Sequence, residues 1–237
     1  GIGGAIAQAL ARQGAEVALS GTRVEALEAA AKEVSGKTHI VPCDLGDSAQ
    51  VDKLIENAGK AMGQVDILVN NAGLTRDAVI HRMTDEQWDV VQDVVLRGTF
   101  DMCRSAARLL RVKDAPHNRK VVNLASIAGV YGAAGLVNYA SAKGGVIGLT
   151  KSLAREWAGL RINVNAVAPG LITQTRLADA MPDGLLDKMV AMTPIGRGGT
   201  PDDVAAAVSF LSSSDADYIT GQVIELHGGL ELIPPLD

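Results

Sequence analysis

Aromatic residues are scarce in this sequence, at 3% of 237 residues, which argues against stacking platforms for single-stranded nucleic acid. The formal net charge is −5, so the basic face that general nucleic-acid binding requires is not indicated. No apolar run is long enough to span a bilayer, and the first residues have no signal-peptide pattern. We therefore expect neither a nucleic-acid partner nor a membrane.

Cysteine and histidine are also rare. The two cysteines, Cys43 and Cys103, form no Cys-x-x-Cys pair, which indicates a reducing, cytoplasmic setting. The four histidines have no metal-ligand spacing, so we predict no metal site and a structural or surface role for His39, His81, His117 and His227.

What the chain does have is a regular alternation of apolar strand-like segments with Ala- and Leu-rich helical ones. Its length and its 47% hydrophobic content suit one α/β domain over residues 1–237. The predicted strands are residues 16–20, 39–43, 65–69, 121–125, 161–168 and 221–226. This alternation predicts a Rossmann-like, doubly wound parallel sheet with about seven strands, one of which we expect ahead of Gly1.

The first three residues resemble the glycine-rich turn of a dinucleotide-binding fold. That fingerprint needs a strand before the glycines and a helix after them, and a helical pattern does follow. Gly1, Ile2 and Gly3 are therefore candidate contacts for a pyrophosphate, although an ordinary glycine turn is the alternative. We expect further residues before Gly1, and an intact mass near 24.6 kDa would contradict that.

Three side chains in residues 123–143 indicate proton-transfer chemistry. Tyr139 and Lys143 are one helical turn apart, and Ser126 follows an apolar strand. The lysine is expected to lower the phenol pKa below its ordinary value of about 10. Two hydroxyls that face one carbonyl oxygen suit reduction of a ketone or oxidation of an alcohol. The alternative is a surface Tyr and Lys beside a turn serine.

The end of the second predicted strand bears on cofactor choice. An acidic residue there bonds the ribose 2′-hydroxyl of NAD, but this chain has Thr22 and Arg23 instead. A guanidinium suits a 2′-phosphate, so these residues predict NADP(H). The alternative is a solvated Arg23 that opens the next helix. Asp44, after the third strand, could be the N-cap of the helix near Ser48; a cofactor contact is the alternative that the family resemblance of the next paragraph implies.

Taken in order, these segments resemble the short-chain dehydrogenase/reductase family over nearly the full length. The matching pieces are the GIG start, Asp44, NNAG at 70–73, Ser126, Tyr139-x-x-x-Lys143, Pro169-Gly170 and the stretch from Thr193 to Gly229. The resemblance implies catalysis by Ser126, Tyr139 and Lys143. It also implies cofactor contacts from Asp44, Leu45, Asn71, Ala72, Gly73, Tyr139, Lys143, Pro169, Gly170, Ile172 and Thr173, with Asn70 in a structural role.

The residues of these segments are most similar to those of the family's bacterial 3-oxoacyl-[acyl-carrier-protein] reductases. That implies NADPH-dependent reduction of a 3-oxoacyl thioester in fatty-acid synthesis, by a homotetramer. Acyl carrier proteins are acidic, so Arg97, Arg104 or Arg176 are candidate docking residues. The alternatives are a dehydrogenase for a 3-hydroxyacyl-CoA, a sugar or another secondary alcohol, and a weakly active cofactor-binding scaffold.

One departure from the family affects the expected activity. Family members usually have Asn at the position of Val95, where its amide supports a water and a proton relay from the lysine; valine has no donor or acceptor. Residues 129–137 are predicted to form a loop beside the substrate. Residues 177–192 are predicted as a mobile flap or, alternatively, a surface helical hairpin. The tail, residues 231–237, is expected at an interface or pocket.

Overall fold

A computed structural model describes residues 1–179, 181 and 184–230 of the chain. The α-helices in this part are α1 (Ile2–Arg12), α2 (Val24–Glu33), α3 (Ser48–Met62), α4 (Asp85–Val91), α5 (Gly98–Leu110), α6 (Ile127–Tyr131), α7 (Val137–Trp157), α8 (Arg176–Asp179), α9 (Leu185–Met192) and α10 (Pro201–Ser212). The strands are β1 (Val17–Leu19), β2 (Thr38–Ile40), β3 (Ile67–Asn70), β4 (Arg119–Leu124), β5 (Ile162–Pro169) and β6 (Val223–Leu226). None of these helices is long and apolar enough to cross a membrane.

All six strands predicted within the chain are present, with bounds shifted by up to three residues. They are parallel and form two hydrogen-bonded groups, β1-β2 and β3-β4-β5-β6. Parallel neighbours place their carboxyl ends at one edge of the sheet, where open α/β sheets bind ligands. The α/β class is confirmed, while the count of about seven strands, which includes one ahead of Gly1, stays a prediction.

Helices cover both faces of the central strands. In β4, Val121 packs with residues of α3, α5 and α7, while its neighbour Val122 packs with residues of α1 and α10. Successive side chains of a strand point to opposite faces, so a strand covered on both sides buries both sets of side chains. Every residue of β4 and of β5 is buried accordingly.

A buried polar chain joins two of these strands to α7. The Asn70 amide nitrogen donates to Asn123 Oδ1 over 2.8 Å, and the Asn123 amide nitrogen donates to Thr150 Oγ1 over 2.9 Å. Asn70 and Asn123 are direct register partners of β3 and β4. The structural role expected for Asn70 follows from these contacts.

The long helix predicted from residue 86 to about 110 begins at a capping box. Thr84 Oγ1 accepts from the Gln87 backbone N–H, and the Gln87 side chain accepts from the Thr84 N–H. The irregularity expected near Gly98 lies just before it, as a π-helical stretch from Gln92 to Arg97. Such stretches within α-helices are frequent at functional sites.

The structure describes residues 129–137, predicted as a loop, and most of residues 177–192, predicted as a flap. The loop expected at residues 129–137 is wrong at its start, because the Ser126 hydroxyl accepts from the Ala128 N–H and so begins the short helix α6. The predicted flap contains α8 and α9, and its mobility stays untested. Residues 180, 182 and 183 of the flap, and the tail 231–237, lie outside the described residues.

Candidate active site

Ser126 stands where the sequence predicts it, directly beyond the carboxyl end of β4. The Ala125 N–H donates to Val167 O of β5 over 2.8 Å, which extends the pairing of the strand almost to the serine. Ser126 has extended backbone angles and is the N-cap of α6. Its hydroxyl is therefore held at the ligand-binding edge of the sheet.

Tyr139 and Lys143 project from α7 towards this serine. The Ser126 hydroxyl lies close enough to the Tyr139 phenol to lower the phenol pKa. Lys143 is 3% exposed, and its ammonium donates to the backbone carbonyl of Leu124. The Lys143 Nζ lies 5.7 Å from the centroid of the Tyr139 ring. The structure thus brings together the three residues predicted to be catalytic.

The expected lowering of the Tyr139 pKa by Lys143 is wrong for this structure. Burial raises the pKa of Tyr139 above its ordinary value, and the nearby Ser126 hydroxyl offsets this only in part. The lysine ammonium lies over the ring and donates to the Leu124 carbonyl, and Lys143 is not among the causes of the Tyr139 pKa shift. Burial also lowers the pKa of Lys143, to about 8, because its ammonium has left water.

The first turn of α1 lies against the NNAG segment. A Cβ on Gly3 would come within 2.8 Å of the Asn71 amide nitrogen, so only glycine fits there without displacing Asn71. Gly1 is the N-cap and provides no side-chain cap, which leaves the amide groups of Ile2 and Gly3 available for an anion. These features fit a pyrophosphate at this helix end.

Gly73, the last residue of the NNAG segment, lies beside Lys143. A Cβ on Gly73 would lie 3.6 Å from Lys143 Nζ and 3.9 Å from a methyl group of Val95. Ala72 and Gly73 are exposed. Val95 is 0% exposed and packs with Val91, Ala142 and Val146. The wall beside the ammonium is therefore apolar on this side.

Asp44 does not cap α3. That cap is Asp47, which accepts from the backbone N–H groups of Ala49 and Gln50. Asp44 is exposed and accepts from the Gly46 N–H over 2.9 Å. Its neighbour Leu45 packs on Gly98, the residue after the π-helical stretch. Asp44 thus remains free to contact a ligand.

Thr22 and Arg23 follow β1 and are both exposed. Arg23 is the N-cap of α2, with extended backbone angles. Within the described part of the chain no acidic side chain forms an ion pair with Arg23. The structure is compatible with either prediction for this residue, a contact to a phosphate or a solvated helix start.

The residues after β5 are anchored more deeply than the sequence suggests. Gly170 lies against the side chains of His227 and Ile127, with no space for a Cβ. Ile172 is 7% exposed, packs among residues of α1 and α10, and pairs with Gly199. The Thr173 hydroxyl donates to the Gly199 carbonyl over 3.0 Å. Pro169, the last residue of β5, is buried as well.

Sequence reasoning missed Asn138, the residue before Tyr139. It is 0% exposed, and its amide bonds three backbone groups, as described below. The available signal was a polar residue at the start of an otherwise small and apolar helix, but a pattern of that kind does not identify its partners.

This arrangement of sheet edge, open helix end and Ser-Tyr-Lys cluster defines an α/β oxidoreductase of the nicotinamide-dependent type. The chain belongs to the short-chain dehydrogenase/reductase family. The family profile described as enoyl-(acyl carrier protein) reductase matches residues 1–231.

Individual relatives agree with this assignment. The chain is 40% identical over 233 residues to the 3-oxoacyl-[acyl-carrier-protein] reductase FabG of Thermotoga maritima, a match that covers 97% of this chain and 93% of the relative. It is 42% identical over 233 residues to nodulation protein G of Rhizobium sp. strain N33, covering 98% and 94%. The crystal structure of levodione reductase superposes with a TM-score of 0.92 at 31% identity, covering 97% of this chain and 93% of that one.

Proposed function

We propose that this chain is an NADPH-dependent reductase of 3-oxoacyl thioesters, carried on acyl carrier protein or CoA, and that residues 1–237 form one catalytic domain. The observation that carries the proposal is the convergence of Ser126, Tyr139 and Lys143 beside the open end of α1. Relatives named 3-oxoacyl-[acyl-carrier-protein] reductase support this choice of substrate.

Tyr139 is placed to act as the proton donor. A partly buried phenol that keeps its proton at neutral pH can donate it to a carbonyl oxygen as that oxygen becomes an alcohol. The Ser126 hydroxyl lies beside this phenol, so it would hold the same oxygen in place. The bound nicotinamide cofactor supplies the hydride to the carbonyl carbon.

Lys143 would bind the cofactor ribose in this mechanism. Its pKa of about 8 leaves it mostly charged at neutral pH, and it already has one fixed acceptor in Leu124 O. The remaining cofactor contacts we propose are Gly1, Ile2, Gly3, Thr22, Arg23, Asp44, Leu45, Asn71, Ala72, Gly73, Pro169, Gly170, Ile172 and Thr173. The side chains of Ile172 and Thr173, the Thr173 N–H and the Ile172 carbonyl are all engaged internally, so we assign the Ile172 N–H and the Thr173 carbonyl to the cofactor.

We also propose a cytoplasmic homotetramer. Both cysteines are free and buried, which agrees with a reducing compartment. A cavity of about 460 Å³ opens between the π-helical stretch and α7, and Phe100 at its edge is 39% exposed. An apolar side chain beside the small residue Gly145 suits contact with another subunit.

The arginines proposed for carrier-protein docking differ in availability. Arg97 and Arg104 both pair with the buried carboxylate of Asp101 and lie over the Phe100 ring. Arg176, the first residue of α8, is exposed. Arg176 is therefore the candidate we favour for contact with an acidic carrier.

A second candidate function is reduction of a carbonyl in a different molecule. The structural relative titled levodione reductase favours it, because a fold this similar serves a differently named reductase. A weakly active scaffold is the third candidate, and the apolar Val95 beside Lys143 is its support.

Oxidation of NADPH at 340 nm with acetoacetyl-CoA tests the proposal, with NADH in parallel and with Tyr139→Phe as control. We expect turnover with NADPH that falls by about 10²-fold or more in Tyr139→Phe, because the proton donor is lost while the ring remains. Tight NADPH binding without turnover of acetoacetyl-CoA would contradict the thioester assignment. A panel of ketones would then separate the second candidate from the third.

A further inference from the structure

Asn138 is a fully buried amide at the start of α7, one residue before Tyr139. Its Nδ2 donates to the backbone carbonyls of Arg76 over 2.8 Å and of Gln87 over 2.9 Å. Its Oδ1 accepts from the Tyr139 N–H over 2.8 Å. An asparagine side chain has two N–H donors and one carbonyl acceptor group, so each of these is used.

The contact with Tyr139 replaces a helix cap. Leu136 precedes α7 and has no polar side chain to bond the first-turn N–H groups. Asn138 supplies the acceptor from inside the first turn, and this fixes the backbone of Tyr139 directly. A side chain that bonds the very next N–H cannot move without moving that residue.

The two donor contacts reach two separate segments of the chain. Arg76 lies three residues after Gly73, which borders the Lys143 ammonium. Gln87 belongs to the capping box of α4, so its N–H is held by Thr84 while its carbonyl is held by Asn138. One amide thereby joins the segment after NNAG and the start of α4 to the helix that carries Tyr139.

A fourth contact connects this amide residue to the π-helical stretch. Gln92, the first residue of that stretch, donates its Nε2 to the backbone carbonyl of Asn138 over 2.8 Å. The stretch also contains Val95, which packs beside Tyr139. Asn138 thus forms hydrogen bonds through its side chain, to Arg76 and Gln87, and through its backbone carbonyl, to Gln92.

We propose that Asn138 is a positioning residue, which holds the Tyr139 phenol at its place beside Ser126 by tying the first turn of α7 to Arg76, Gln87 and Gln92. This inference rests on the proposed function, since it assigns Asn138 to the same proton-donating site. Loss of the amide would remove a hydrogen bond from the carbonyls of Arg76 and Gln87 and would let more water reach the phenol. Because burial is what raises the pKa of Tyr139, hydration would lower it again.

The variant Asn138→Ala tests the proposal against Asn165→Ala as a matched control. Asn165 is 1% exposed, donates to Ile219 O over 2.8 Å and accepts from the Gln222 N–H, so it loses equivalent bonds next to β6 instead of α7. Both variants are expected to lower Tm. Only Asn138→Ala is expected to lower kcat, by about tenfold or more, with the KM for NADPH changed less than about threefold.

A spectroscopic readout makes the test independent of turnover. The chain has 3 tyrosines, so ¹³Cζ-tyrosine NMR gives a small spectrum in which Tyr139→Phe assigns the Tyr139 signal. In Asn138→Ala, the ionisation midpoint of this signal should fall by about half a pH unit or more, and in Asn165→Ala it should stay. If both variants lose Tm alike while the midpoint and kcat stay at wild-type values, the proposal is overturned.

Two further outcomes are distinguishable. If Asn138→Ala does not fold, Gln92→Met removes only the donor to the Asn138 carbonyl, and a smaller fall in the Tyr139 midpoint supports the proposal while none overturns it. If the wild type reduces no carbonyl compound, the proposed function fails, and the NMR midpoints still decide whether Asn138 positions Tyr139.

Discussion

Gly129 packs on the backbone of Lys143 with no room for a side chain. A Cβ on Gly129 would lie 2.6 Å from the Lys143 carbonyl carbon and 2.7 Å from the Gly144 nitrogen. Gly129 lies in α6, which Ser126 begins, and Lys143 lies in α7 with Tyr139. The distance between serine and phenol therefore depends on this helix contact.

Gly129→Ala is expected to separate α6 from α7. Alanine normally stabilises a helix interior by about 1 kcal/mol relative to glycine, so propensity alone predicts a gain. The backbone clash should reverse the sign, lower Tm by several degrees and reduce kcat, since Ser126 and Tyr139 move apart. Thermal unfolding and NADPH-dependent turnover measure both effects. A variant that is more stable than the wild type and equally active would refute this reading of the contact.

Lys143 gives the ligand-free protein a characteristic dependence of stability on pH. Its pKa in the folded chain is about 8, against 10.5 as the ordinary value, so between these pH values the unfolded chain binds more protons. The free energy of unfolding should therefore rise from pH 8 towards pH 10, by an amount on the order of 3 kcal/mol in total for this group.

Urea unfolding at pH 7, 8, 9 and 10 measures this rise, with Lys143→Met as comparison. The methionine keeps an unbranched side chain and removes the charge, so the variant should equal or exceed the wild type in stability at pH 7 and lose activity. Below pH 10 the raised pKa of Tyr139 contributes little, since that phenol ionises at higher pH. If the free energies of unfolding of the two proteins change with pH in parallel, burial of the Lys143 charge does not destabilise the folded chain.

Val95→Asn is expected to raise kcat by about tenfold, because an amide beside the Lys143 ammonium could bond a water where the wild type has methyl groups. Burial of the new amide should also lower Tm, at a cost of about 1–3 kcal/mol. Steady-state kinetics and thermal unfolding measure the two effects. Val91→Asn is the control: Val91 is equally buried in the same cluster, one turn earlier, and should show only the loss of stability. A folded Val95→Asn protein without a gain in kcat would argue that the valine does not limit catalysis.

Arg23→Ala should change the cofactor preference. If the guanidinium binds a 2′-phosphate, the Kd for NADPH should rise by about tenfold or more while that for NADH stays, since NADH lacks this phosphate. Fluorescence titration of both cofactors measures the ratio. Arg12→Ala, an exposed arginine at the end of α1, controls for the general loss of positive charge. Equal changes for NADPH and NADH would favour the solvated helix start instead.

Much of the fold follows from local patterns in the sequence. Thr84 and Thr200 mark the starts of their helices by short-range capping contacts, and the apolar runs at residues 65–69 and 121–125 indicate buried strands. Ser126, Tyr139 and Lys143 were predictable because strand ends and helical spacing place them at one edge. In each case the partners are close in sequence or fixed by the general geometry of parallel sheets.

The rest depends on contacts between distant segments. The lysine was expected to lower the pKa of Tyr139, but its ammonium donates to the Leu124 carbonyl, nineteen positions earlier in the chain, and burial raises that pKa instead. Asn138 bonds Arg76 and Gln87, each about fifty or more residues away in sequence. Helical spacing could not predict either result, because the acceptors are backbone carbonyls that any residue provides.

The hydrogen bond between Asn70 and Asn123 helps to fix the register of β3 against β4. A slip of one residue in either strand would turn its amide to the opposite face and separate it from its partner, so the hydrogen bond forms in this register. Asn71 follows directly after Asn70, and Ser126 comes three residues after Asn123. The two amides therefore fix the cofactor-side segment at Asn71 and the substrate-side segment at Ser126 relative to each other along the strands, before a ligand binds.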